Sequence, residues 1–105
     1  MKSVTRGTGN VFADLGFEDA GERQTKTRLA MQIGEIVGAR GAKQAEVAKA
    51  LGIPQPKVSA LLNYRLDGFS VERLMAFLTA LDQDVEILVR PSREGRGRVS
   101  VHAIR

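Results

Sequence analysis

Residues 50–62, ALGIPQPKVSALL, set two prolines around one glutamine inside a run whose apolar residues otherwise recur at helical spacing. Gly52 suits the left-handed end of a helix, and Ile53 can plug the corner that follows. Pro54 and Pro56 fix the backbone of a restart, because the first turn of a helix has no N–H partner to lose. The pattern predicts two short helices meeting at a tight turn instead of one long helix. In the second, Val58, Leu61 and Leu62 form the stripe to be buried. The opposite face carries Pro56, Ser59, Ala60 and Asn63, with Gln55 and Lys57 at the exposed N-terminal end.

The flanking sequence continues this grammar. KQAEVAKALG (43–52) puts Val47, Ala48 and Leu51 on one side of a helix about two turns long and stops it at Gly52. Upstream, DAGERQTKTRLAMQIGEIVGARG (19–41) opens with Asp19 and Glu22 in capping-box spacing, carries Leu29, Ile33, Ile36 and Val37 on one face, and closes at Gly41. Downstream, RLDGF (65–69) reads as a loop. Ser70 is then an N-cap, Phe69 and Leu74 have hydrophobic-staple spacing, and Leu74, Phe77, Leu78 and Leu81 make a core stripe. DVEILVR (84–90) alternates Val85, Ile87 and Val89 with charged or exposed positions, and RVSVHA (98–103) repeats the alternation with Val99 and Val101 beyond PSREGRGR (91–98). These two segments predict a C-terminal strand or hairpin.

Two short helices joined by a glycine turn, the second exposing small polar residues at its start, have the helix-turn-helix geometry that fits the major groove of DNA. Ala48 is small where the helices cross, Ile53, Val58 and Leu61 fill the space beneath, and Ser59 and Ala60 let the backbone approach base edges. Gln55 can pair with the N6 and N7 edge of adenine, and Ala60 can touch a thymine methyl. Lys57, on the flank of that face, is placed to meet phosphate and not a base.

Composition limits the alternatives. A chain of 105 residues, 43% hydrophobic, can bury one modest core. It has no cysteine, which removes disulfide frameworks and thiolate metal sites. The first residues, MKSVTRGTGN, lack the apolar core of a secretion signal, and no run approaches the ~18 apolar residues of a membrane span. A soluble cytoplasmic protein is expected. The net charge of +4 is unevenly spread. Lys43, Lys49, Lys57 and Arg65 outweigh Glu46 and Asp67, the region 70–91 is acidic, and Arg93, Arg96, Arg98 and Arg105 make the tail basic. No nucleophile–base pair, metal cluster or phosphate-cradling glycine loop is present, so no enzyme and no cofactor are expected. His102 stands alone in the tail, without a second ligand or a partner carboxylate.

The stretch from Gln44 to Asn63 closely resembles the helix-turn-helix of lambda repressor and Cro, the XRE type. More widely, residues 9–91 are similar to the small repressors that act as antitoxins in toxin–antitoxin operons. The resemblance implies a mainly α fold, a compact four- to five-helix domain with a C-terminal strand or hairpin. It divides the chain into an N-terminal arm (1–17), the DNA-binding domain (18–83) and the C-terminal strand, hairpin and basic tail (84–105). It also implies a sequence-specific repressor that binds a palindromic operator in double-stranded DNA as a homodimer, often beside a messenger-RNA-cutting toxin that it restrains. A stand-alone phage-like or prokaryotic regulator, or an interaction module that has lost DNA binding, are the alternatives.

Carried over by position, Gln44 stands where such repressors grip phosphate, Gln55 where they read a base, and Asn63 where they touch the backbone beyond the recognition helix. Pro54 departs from the usual serine and offers no side-chain cap. Pro56 replaces a position that can carry a hydrogen-bonding side chain. The candidate DNA-contacting set is Lys43, Gln44, Gln55, Pro56, Lys57, Ser59, Ala60, Asn63, Tyr64 and Arg65. For assembly, VEILVR would leave an unpaired edge if exposed, so residues 85–103 are expected to make the main dimer contact. The alternative is that Val99 to His102 cover this edge within one chain and the helices form the dimer.

Overall fold

The computed structural model describes residues 19–104, with side chains from 21 onward. Among these residues lie four helices, α1 (Asp19–Arg40), α2 (Gln44–Leu51), α3 (Gln55–Leu62) and α4 (Val71–Ala80). The expected N-terminal arm and the cap at Asp19 lie outside the described residues and side chains. Within α1, Glu22 pairs with Lys26 at 3.4 Å, one turn on.

The 22-residue α1 is the backbone of the domain. Leu29, Ala30, Ile33 and Val37 recur on one face and are buried, with Ile33 completely so. This face lies chiefly against α4, whose Leu74, Phe77 and Leu78 face inward, while α2 packs mainly against α3. Leu51, Ile53, Val58, Leu61, Leu66, Phe69 and Leu81 close the same core. Phe69 meets Phe77 edge to face, with ring centres 5.9 Å apart. The buried Thr25 donates its hydroxyl to the Gly21 carbonyl at 3.0 Å, so its burial leaves no unsatisfied donor.

The ends of the helices follow the sequence signals. Gly41 and Gly52 have positive φ, and Ser70 accepts a hydrogen bond from the Arg73 N–H at 3.1 Å. At the start of α2, Glu46 accepts from the Lys43 N–H at 2.9 Å. That is half of a capping box, since an ammonium group cannot accept the reciprocal bond.

The expected C-terminal strand or hairpin is not formed: among the described residues none is in a strand, and residues 84–91 make no backbone–backbone hydrogen bond. The segment does reverse direction, since Gly95 has φ +85 and Gly97 lies close to Ser92. Val85 and Val101 both rest against the core. Ile87, Leu88 and Val89 do not, and Leu88 is 83% exposed. The alternation specifies a face, but a ladder also needs a neighbour in register, and a lone two-stranded ribbon is marginal in water.

Candidate nucleic-acid interface

The turn between α2 and α3 is built by three residues in succession. Gly52 takes φ 69, ψ 33, and its N–H bonds back to the Ala48 carbonyl, ending α2. Ile53 is buried and donates its N–H to the same carbonyl at 3.1 Å. Pro54 is the N-cap of α3 with no side-chain cap, its carbonyl accepting from the N–H groups of Lys57 (2.9 Å) and Val58 (3.3 Å). Pro56 then falls in the first turn, where the missing donor would have been unsatisfied anyway. Both prolines are thus tolerated for the reason that predicted them.

Val58 and Leu61 are fully buried and fix the rotation of α3. Gln55, Pro56 and Asn63 are exposed, and Ser59 and Ala60 half-buried, along one continuous arc of the helix. Leu62 is only partly buried, so the inward stripe is narrower than the three residues expected. Gln44 is half-buried at the start of α2, with exposed Lys43 preceding it.

Lys57 is exposed, with its ammonium over an aromatic ring. Its Nζ lies 5.8 Å from the centre of the Phe69 ring, and Gly68 passes close beneath. No sequence signal links positions 57 and 69, because this contact depends on how the loop after α3 returns. One amide N–H of Asn63 goes to the Ser59 carbonyl at 2.8 Å, closing the last turn of α3. Tyr64 follows with φ 60, unusual for a residue with a side chain, and Arg65 is exposed with its backbone N–H bonded to Ala60 at 2.9 Å.

The ten candidate residues therefore fall into an arc on α3 (Gln55, Pro56, Ser59, Ala60, Asn63), a flanking cation (Lys57), the start of α2 (Lys43, Gln44) and the turn after α3 (Tyr64, Arg65). Apart from this arc, Met31, Gly34, Glu35, Val37, Gly38, Leu62 and Tyr64 line an open, mainly apolar depression between α1 and the end of α3. Among the described residues no group of His, Asp or Glu could hold a metal ion, and no helix is long and apolar enough to cross a membrane.

A helix-turn-helix domain family matches residues 11–90. A solved structure assigned to the XRE family of transcriptional regulators is 55% identical, superposes with a TM-score of 0.79, and is covered completely by 83% of this chain. No curated protein matches the sequence.

Proposed function

The chain belongs to the helix-turn-helix domain family, and on that premise we propose that it is a sequence-specific transcriptional repressor that inserts α3 into the major groove of an operator. The observation that carries this reading is the arc of α3, where two fully buried residues, Val58 and Leu61, turn Gln55, Ser59 and Ala60 outward. Small side chains let the backbone come close, and Gln55, at the first position of the helix, reaches furthest. Lys57 on α3, Arg65 beyond its end and Lys43 ahead of α2 supply positive charge suited to phosphate.

One recognition helix reads only a few base pairs, so the repressor acts as a two-fold dimer on a palindrome, its helices about 34 Å apart. In this reading residues 18–83 form the DNA-binding unit, and 84–105 serve assembly. The finer role, an antitoxin that represses its own operon and restrains a messenger-RNA-cutting toxin, rests on the likeness of residues 9–91 to such repressors. An adjoining reading frame for a small basic protein, if found to co-purify with this chain, would support it, and the lack of one would leave a stand-alone regulator.

The test is selection of duplexes from a random pool, followed by titration of the winner and of scrambled DNA with wild-type and Gln55→Ala protein. The substitution is expected to cost about 1–3 kcal/mol on the selected site and almost nothing on scrambled DNA. Failure to enrich any sequence would leave an interaction module as the better reading.

A further inference from the structure

The C-terminal arm 84–91 has an exposed apolar surface and unused backbone hydrogen-bonding groups. Ile87, Leu88 and Val89 are 60%, 83% and 49% exposed, yet the root of the arm is held to the core through Val85. Among the described residues neither Glu86 nor Arg90 has an ion-pair partner, and the arm makes no backbone–backbone hydrogen bond. Such an edge invites pairing with another chain.

We propose that the occupant is a second copy of this chain, paired antiparallel through the same arm about a two-fold axis at Leu88. The arm is complementary to itself in that register. Leu88 meets its own copy, Glu86 stands opposite Arg90 on both sides of the axis, and Ile87 stands opposite Val89. Asp84 falls opposite Ser92. If Leu88 occupies a hydrogen-bonded pair, Pro91, three residues on, falls in a non-bonded pair, where its missing N–H would point away from the partner. Centring the axis one residue earlier, on Ile87, would set Leu88 against the Glu86 carboxylate. The arm therefore becomes a strand on association, which is why its alternation is clear while a single chain shows no ladder. This inference rests on the two-fold reading above and supplies its interface.

Sedimentation of the full chain without DNA tests it. The wild type is expected to be a dimer. Glu86→Arg sets arginine against arginine and Arg90→Glu sets glutamate against glutamate, so each alone should weaken association about 10- to 30-fold. Mixing the two variants should restore a dimer. The introduced arginine then faces the introduced glutamate on one side of the axis, and the remaining Glu86 faces the remaining Arg90 on the other. Asp84→Arg, facing Ser92, should leave the dimer intact. A dimer indifferent to Glu86→Arg and Arg90→Glu, or a mixture no tighter than either variant alone, would overturn this register and leave the two-fold to the helices. A monomeric wild type would overturn both the arm pairing and the two-fold reading, and would assign the arm to a different protein. Duplex binding is measured separately, so neither outcome is confused with failure of DNA recognition.

Discussion

The Lys57 ammonium sits 5.8 Å from the centre of the Phe69 ring, so the cation in the first turn of α3 is steadied by the loop that leads into α4. Phe69 is itself buried against Phe77. The ring thus transmits the position of the core to a charge at the edge of the proposed interface. Lys57→Ala is expected to lower unfolding stability by about 0.5–1 kcal/mol, the usual worth of an exposed cation–π contact. It should also reduce the slope of log affinity against log salt by about 0.9, the loss of one phosphate contact. Denaturant titration and binding isotherms at several salt concentrations read the two effects. Lys57→Arg should preserve both, and a variant that loses stability but keeps its salt slope would remove Lys57 from the phosphate contacts.

Arg65 differs from Gln55 in what it can reach. It lies beyond the end of α3, exposed, with its backbone pinned to Ala60, so its guanidinium is suited to the phosphate flank and not to a base edge. Arg65→Ala should weaken selected and scrambled duplexes by the same factor and flatten the salt dependence by about one contact. A loss confined to the selected site would make Arg65 a base reader.

The helices are legible in the sequence because each boundary has a local cause. Gly41 and Gly52 end α1 and α2, Ser70 starts α4, and the prolines before α3 occupy positions that need no donor. Val58 and Leu61 fix the rotation of α3, and with it the outward arc. What the sequence does not reveal depends on residues far apart in the chain. Arg40, at the end of α1, donates to the Leu81 carbonyl at 2.6 Å and to the Asp82 carboxylate at 3.2 Å, fastening α1 to the end of α4 across 41 positions. The expected C-terminal strand is absent for a related reason. Alternation at Val85, Ile87 and Val89 describes one edge, and a strand requires a second.

Gly52 allows a specific test of the turn. Its backbone has φ 69, ψ 33, and a β-carbon built there would meet nothing within 4 Å. The cost of Gly52→Ala is therefore conformational and not steric crowding, about 1–2 kcal/mol for placing an L side chain in the left-handed region. Chemical denaturation should show that loss. Val or Ile at the same position should cost more, because branching at Cβ worsens the same clash. If alanine is neutral, the turn relaxes to another conformation, and a shifted α3 should then appear as weaker operator binding.

Gly34 and Gly38 pose the converse case. Both lie within α1 at ordinary helical φ, where glycine is about 1 kcal/mol less favourable than alanine, and an added β-carbon at either would meet nothing within 4 Å. Nothing within the described chain requires a glycine at these positions. Gly34→Ala is accordingly expected to stabilise the protein by about 0.5–1 kcal/mol, raising the thermal midpoint by roughly 4 °C for a domain of this size. The same glycines border the open depression formed with Met31, Leu62 and Tyr64, so a second readout is needed. Thermal unfolding and sedimentation of the Gly34→Ala chain should be measured together. A higher midpoint with unchanged assembly would establish that this side of α1 faces solvent. A lower midpoint accompanied by dissociation would mean that another chain packs against the glycines, moving the dimer contact from the C-terminal arm to α1.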